Sequence, residues 1–223
     1  MSPPDRPPFA TQEQWDERYR SASRIWSGQP NPHLVTEVAD LAPGTALDAG
    51  SGEGADAIWL AARGWLVTAL DISPVALERA AAHAAEAGPA VAERITWRHT
   101  DLTAGKPDSG LGTFDLVTVH FLHLPADELD ELHRRLAAAV APGGTLLVVG
   151  HHPSDLETGV RRPRHPGMLF TPERVAEVLE PGAWDVVRAD VRGREAPGPD
   201  GGPPVTVRDS VLRAVRRPAA RRR

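Results

Sequence analysis

From residue 45 onward, short continuous apolar runs alternate with stretches of helical period. The pattern predicts strand Thr45 to Ala49, helix Ala55 to Arg63, strand Trp65 to Asp71, helix Pro74 to Ala87 capped by Ser73, and strand Arg94 to His99. A Gly/Pro/Asp loop leads to strand Phe114 to His120, helix Ala126 to Val140 and strand Gly144 to Gly150. Five short apolar strands separated mostly by helices imply a parallel sheet covered on both faces, with right-handed crossovers. Further on, Thr171-Pro-Glu reads as the start of a helix, and Trp184 to Val191 and Val205 to Val215 as strands joined by the Pro/Gly-rich Ala196 to Pro204. With no helix between them, the last two strands must pair as an antiparallel hairpin. The expectation is a doubly wound, mostly parallel α/β fold.

Ahead of this body, Thr11-Gln-Glu-Gln14 has capping-box spacing and opens a helix to about Ser21, with Trp15 and Tyr19 on one face. Trp26-Ser-Gly-Gln-Pro-Asn-Pro32 is turn-rich, and Asn31 with Pro32 begins a helix to about Leu41. The organisation read from these signals is a front segment at 1–30, a main domain at 31–217 and a basic tail at 218–223.

Composition narrows the chemistry. At 223 residues, with 41% hydrophobic and 25% charged residues, the chain suits one core-forming domain. No apolar run approaches the roughly 18 residues of a membrane span, and Met1 to Ala10 has no secretory pattern, so a cytoplasmic protein without a membrane partner is expected. Cysteine is absent, which removes disulfides, thiolate metal sites and Cys nucleophiles. The net charge of -5 conceals an asymmetry: Arg188 to Arg223 holds ten arginines against four acids. An acidic body disfavours nucleic acid as the main partner, since phosphate binding needs a basic face.

The densest chemical signal is Ala46-Leu-Asp-Ala-Gly-Ser-Gly-Glu-Gly54, a strand running into three alternating glycines and a helix. Such a loop admits a ligand close to main-chain N–H groups, at the carboxyl edge where open α/β sheets bind. Gly50, Gly52 and Ala55 also satisfy a dinucleotide spacing, so a nicotinamide-dependent dehydrogenase is one reading. Against it, Asp48 would repel a pyrophosphate and suits a cationic ligand; S-adenosylmethionine carries a sulfonium and an ammonium group and no phosphate. Asp71 ends the second strand, where an acid accepts hydrogen bonds from ribose hydroxyls, and Asp101-Leu102 follows the third, beside an adenine.

Together, Leu47-Asp-Ala-Gly-Ser-Gly-Glu-Gly54, Asp71, Asp101-Leu102, Phe114-Asp-Leu-Val117 and Pro142-Gly-Gly144 resemble the successive motifs of class I S-adenosylmethionine-dependent methyltransferases over residues 30 to 216. The resemblance implies a Rossmann-like sheet of seven strands in the order 3-2-1-4-5-7-6, with strand 7 antiparallel. Trp15-Asp-Glu-Arg-Tyr19 and Trp26-Ser-Gly28 are similar to the aromatic front segment of small-molecule members of the thiopurine and tellurite-resistance type, which folds over the cofactor. Carried over, Gly50 and Gly52 would line the methionine portion, Asp71 the ribose, Ile72 and Leu102 the adenine faces, and Asp101 the adenine amine. Asp48 would act through the amino group, directly or through water; Tyr19 and Trp26 would cover the cofactor, and His120 would lie beneath the transferred methyl.

His120, His123, His151 and His152 follow the fourth and fifth strands at the edge that carries the glycine loop. An imidazole there is suited to take a proton from a hydroxyl, thiol or ring nitrogen, which makes His120 and His151 the catalytic candidates. The adjacent pairs lack the i, i+4 spacing of a metal site, and no metal is expected. The loop Arg161-Arg-Pro-Arg164 with Met168 and Phe170 is a candidate lid. The reading is therefore methyl transfer from S-adenosylmethionine, leaving S-adenosylhomocysteine, to a heteroatom (S, N or O) of a small-molecule acceptor. Beside it stand a binding protein that uses the cofactor without transferring methyl, the dehydrogenase, and a nucleic acid methyltransferase.

Overall fold

The computed structural model describes residues 11–104, 112–160, 162, 168–198 and 201–218. Two helices, α1 (Gln12–Arg20) and α2 (Pro32–Glu37), precede the alternating body. That body comprises β1 (Thr45–Ala49), α3 (Ala55–Ala62), β2 (Leu66–Asp71), α4 (Pro74–Ala87), the one-turn α5 (Pro89–Ala92), β3 (Ile95–His99), β4 (Phe114–His120), α6 (Ala126–Ala138) and β5 (Val140–His151). A 3-10 turn at Pro153–Glu157, α7 (Pro172–Glu177), β6 (Trp184–Ala196) and β7 (Val205–Arg216) follow. One sheet holds all seven strands in the order β3-β2-β1-β4-β5-β7-β6. Pairing is parallel from β3 to β5, while β7 runs antiparallel to both β5 and β6.

Consecutive strand residues go to opposite faces, and the two cores show it. Leu47, Val117 and Leu146 pack in one cluster with Leu129, Leu132 and Leu136 of α6 and Val175 of α7. Their neighbours Ala46, Leu116 and Leu147 pack in the other with Leu34 of α2 and Ala57, Leu60 and Ala61 of α3. A sheet buried on both sides needs apolar residues at successive positions, which is why these strands read as unbroken runs. Truncating one of these fully buried leucines to Ala would cost about 2–5 kcal/mol.

Local signals start the helices as expected. Thr11 and Gln14 complete the capping box, Asn31 Oδ1 accepts the His33 N–H, and Ser73 Oγ accepts the Ala76 N–H. Several boundaries differ. The helix at Pro32 stops at Glu37, and Asp40, expected within it, instead forms a two-pronged ion pair with Arg213 of β7. Strand β5 begins at Val140, because Val140 pairs with Phe114 before the Pro142-Gly143-Gly144 stretch shifts the register. Strand β6 continues through Gly193 to Ala196, and there its alternate residues Arg192 and Arg194 turn inward to the buried carboxylates of Glu37 and Asp209. Asp115, part of the Phe-Asp-Leu-Val motif, accepts the Thr45 N–H and hydroxyl at 2.8 and 2.9 Å and so fixes the start of β1 against β4.

Candidate functional site

The carboxyl ends of β1 to β5 open into a cavity of about 650 Å³. Strand order arranges its wall: Asp101, Asp71 and the glycine loop along one half of the edge, and His120, His123 and His151 along the other. Of the residues expected from sequence, Tyr19, Trp26, Gly50, Gly52, Asp71, Ile72, Asp101, Leu102, His120 and His151 all line it.

The glycine loop forms a cradle without side chains. Gly50 and Gly52 have φ of 79° and 53°, the left-handed region that disfavours residues with a Cβ. A Cβ on Gly50 would lie 2.8 Å from Leu122 Cδ1, and one on Gly52 3.1 Å from the Tyr19 hydroxyl. Asp71 stabilises this bend: one carboxylate oxygen accepts the Gly52 N–H at 2.8 Å and the other the Ser73 N–H at 2.9 Å. Each oxygen keeps a lone pair for a further donor. Burial raises the Asp71 carboxyl above its ordinary value, and the two N–H donors oppose that rise. Asp101 Oδ1 accepts the Thr103 N–H and hydroxyl at 2.8 and 2.7 Å, closing the turn after β3.

Asp48 departs from expectation. It is buried at 2% exposure and off the cavity wall, with one oxygen 3.3 Å from the Thr118 hydroxyl and the other without a hydrogen-bond partner. Burial, then the neighbouring Asp56 charge, pushes its carboxyl up to about 7. An unpartnered buried carboxyl oxygen close behind the cradle is a site for positive charge.

The front segment is tied to the loop by a residue that the sequence reading passed over. Glu53 Oε2 accepts the main-chain N–H groups of Ile25 and Trp26, each at 3.1 Å, and its Oε1 meets Arg79 Nη1 at 3.1 Å. The Trp26 indole N–H donates to the Tyr19 hydroxyl at 3.2 Å, and the Arg18 guanidinium lies 5.2 Å from the Trp26 ring centre. Burial of Tyr19, with Asp71 nearby, raises its phenol well above the ordinary value, so it stays neutral.

Three of the four edge histidines face the cavity; His152 does not. Its Nδ1 accepts the Ser154 N–H and caps the 3-10 turn, because successive residues at the end of β5 point to opposite sides. The His151 ring lies 4.6 Å from Phe121 and 5.7 Å from His123, forming an aromatic wall. Burial lowers both imidazoles, His123 to about 4, so the wall is neutral. Asp56, in the first turn of α3 and also unforeseen, places Oδ2 2.7 Å from His120 Nδ1. Met168 and Phe170, expected in a lid, are buried, Phe170 in the core, and Arg162 pairs with Asp155 at 2.9 Å. Arg161, Arg164 and the tail beyond Pro218 lie outside the described residues. Among the described residues no three His, Asp or Glu side chains gather as metal ligands, and no helix is long and apolar enough to cross a membrane.

Residues 46–144 match the methyltransferase domain family. A 2-heptyl-1-hydroxyquinolin-4(1H)-one methyltransferase of Mycobacteroides abscessus is 30% identical over 148 residues, 62% of this chain and 63% of that protein. The chain thus spans less than two thirds of the length of the curated relatives it matches. Among solved structures, one concerned with conversion of a disulfide bond into a thioacetal group during echinomycin biosynthesis superposes with a TM-score of 0.72 at 22% identity, covering 94% of this chain and 93% of that one. The N-methyltransferase NodS of Bradyrhizobium japonicum, in complex with S-adenosyl-L-homocysteine, gives a TM-score of 0.66 at 18% identity, covering 92% and 97%. A methyltransferase domain match at its centre and the seven-stranded order around it make the chain similar to the class I methyltransferases in both sequence and fold.

Proposed function

We propose that the protein binds S-adenosylmethionine and transfers its methyl group to a heteroatom, in the first instance a hydroxyl oxygen, of a small flat aromatic acceptor. The observation that carries this reading is the division of one cavity into a glycine cradle with strand-end carboxylates and a neutral aromatic wall with one oriented histidine.

The residues present fit the cofactor. Gly50 and Gly52 leave room where a Cβ would intrude, and Asp48 offers an unpartnered buried oxygen to a nearby positive charge. Asp71 would hold the ribose hydroxyls, Ile72 and Leu102 the adenine faces, and Asp101 the adenine amine. Tyr19 and Trp26, latched by Glu53, would cover it and exclude water, with the front segment up to residue 30 acting as its lid over the domain at 31–217. When bound, the cofactor supplies a methyl group on a sulfonium, already activated for transfer in line with the breaking C–S bond. The chain's own part is to align the acceptor, keep the site dry and receive the acceptor's proton, with His120 and His151 as the groups near enough to do so.

The acceptor class rests on the ring wall of Phe121, His123 and His151 and on the relative named for a hydroxyquinolone. We further propose the cytoplasm as the protein's compartment and a small molecule, with neither membrane nor nucleic acid, as its partner, a reading supported by the cysteine-free composition and the acidic body. Calorimetric titration with S-adenosylhomocysteine and with NAD, followed by incubation with methyl-labelled donor and 2-heptyl-1-hydroxyquinolin-4(1H)-one or simpler phenols, tests the reading. Micromolar binding of the first ligand and label on the acceptor are expected. Binding of NAD alone, or saturation by the adenosyl ligand with no label on any thiol, amine or hydroxyl compound, would overturn it.

A further inference from the structure

His120 closes β4 with its side chain only 6% exposed. Its Nδ1 stands 2.7 Å from Asp56 Oδ2, while Asp56 Oδ1 accepts the Asn31 main-chain N–H at 2.6 Å. The carboxylate is therefore held from both sides and cannot turn freely. Nε2, the other ring nitrogen, is shielded from solvent and has no hydrogen-bond partner, although the residue lines the cavity. The next residue, Phe121, has φ of 50°, the one positive value outside glycine among the described residues. A left-handed residue of this bulk is strained, and such strain gathers where a chain is bent to aim a group. Here the bend puts the Phe121 ring against His151, 4.6 Å between ring centres, on the wall of the cavity that His120 also lines.

We propose that Asp56 is a positioning residue that fixes His120 as the Nδ1–H tautomer, so that Nε2 receives the proton of the acceptor's hydroxyl. The proposal rests on the methyl-transfer reading for its acceptor, but the tautomer is a property of the protein alone. In the step, the acceptor's O–H bond breaks and the proton passes to Nε2. The oxygen keeps the electron pair with which it bonds the methyl carbon, while the carbon's bond to sulfur breaks and its pair stays on sulfur as the neutral thioether of S-adenosylhomocysteine. The resulting imidazolium, stabilised by Asp56, returns the proton to solvent after product leaves. A carboxylate that accepts from Nδ1–H does the same work in hydrolytic triads, where it sets tautomer and orientation without being protonated itself.

His151 is not equivalent. Its Nδ1 is 3.8 Å from Asp209, beyond hydrogen-bond reach, and that carboxylate is already engaged by Arg194 at 2.7 Å and His33 at 3.1 Å. With no carboxylate of its own and a basicity lowered by burial, His151 serves as wall. The charged groups acting on His120 are Asp56 from α3 and Asp48 from β1, both negative when ionised, and both favour the imidazolium that the step creates.

Long-range 1H–15N correlation spectra of histidine-labelled protein at pH 7.5 read the tautomer directly, with His120→Gln identifying the signal. The wild type is expected to show a protonated Nδ1 and a bare Nε2. In Asp56→Asn the side-chain oxygen can still accept from Asn31 while its NH2 faces Nδ1, which should move the proton to Nε2. That variant should bind S-adenosylhomocysteine with wild-type affinity, and with 2-heptyl-1-hydroxyquinolin-4(1H)-one its kcat should fall about 10²- to 10⁴-fold with KM within about 3-fold. An Nε2–H tautomer in the wild type, or an Asp56→Asn protein with unchanged tautomer or unchanged kcat, would overturn the proposal. Absence of adenosylhomocysteine binding in the wild type would instead overturn the function, leaving the tautomer measurement to decide the pair by itself.

Discussion

His33 Nε2 lies 3.1 Å from Asp209 Oδ2, joining α2 to β7 across 176 positions of sequence. Arg194 of β6 approaches the same carboxylate at 2.7 Å, so one buried acid ties the cap helix, the last two strands and the cavity wall together. Burial opposes ionisation of Asp209, but the groups around it, His33 and Arg194 in hydrogen-bond contact and His151 at 3.8 Å, outweigh it and hold its carboxyl well below the usual range.

Replacing this acid should be costly. Asp209→Asn is expected to lose about 2–4 kcal/mol at pH 7, since breaking one side of a buried ion pair strands the other and Arg194 is partly exposed. The contribution of a depressed carboxyl is present above the unfolded value of about 3.9 and disappears as pH falls through the folded one. Guanidinium unfolding from pH 7 to pH 3 should therefore show the deficit narrowing only at the acid end. A deficit that does not change with pH would show that the charge of Asp209 is not what matters.

Gly52→Ala tests the cradle. The new Cβ would carry φ of 53° and meet the Tyr19 hydroxyl at 3.1 Å. Adenosylhomocysteine affinity is expected to drop about 10-fold, roughly 1.4 kcal/mol, with secondary structure by circular dichroism unchanged.

Asp48 gives a proton-linked signature. Burial pushes its carboxyl up to about 7, so part of it is protonated at neutral pH, and a cation bound nearby would drive that proton off. Calorimetry at pH 7 in buffers of different ionisation enthalpy should show release of a fraction of a proton on binding S-adenosylmethionine, with affinity rising as pH climbs through 7. Asp48→Asn should release none.

His133 of α6 packs edge-on against Phe170, 5.5 Å between ring centres, with its Nδ1 buried and unpartnered. Burial lowers its imidazole to about 4, so the unfolded chain, at about 6.5, takes up the proton first. Its effect on stability is therefore unfavourable as pH falls from about 6.5 to about 4. His133→Leu should match the wild type or exceed it at pH 7 and gain a growing advantage down to pH 4, read as the difference in urea midpoints.

The fold was legible because its strands are buried on both faces and so appear as apolar runs between glycine and proline punctuation. The place of Gly50, Gly52, Asp71 and Asp101 on the cavity wall was legible as well, since it follows from their standing at or just after the end of a strand. Asp56 and Glu53 were not. In sequence each is an ordinary acid at the start of a helix, and their partners lie 64 and 27–28 residues away, a distance no local period encodes. The parity of a strand end decided between His151 and His152, and it required knowing that β5 extends to His151. Asp209 was hidden inside a strand whose neighbours Val207 and Val211 are core; a lone acid amid such residues was the available sign.

Glu53 gives the last consequence. Because a single side chain from the loop after β1 grips two successive amides of the front segment, the roof and the floor of the chamber move as coupled parts. Deuterium uptake at Ile25 and Trp26 becomes a direct gauge of how often that roof lifts, and a tenant that braces it from inside should slow the exchange at those two amides before any others.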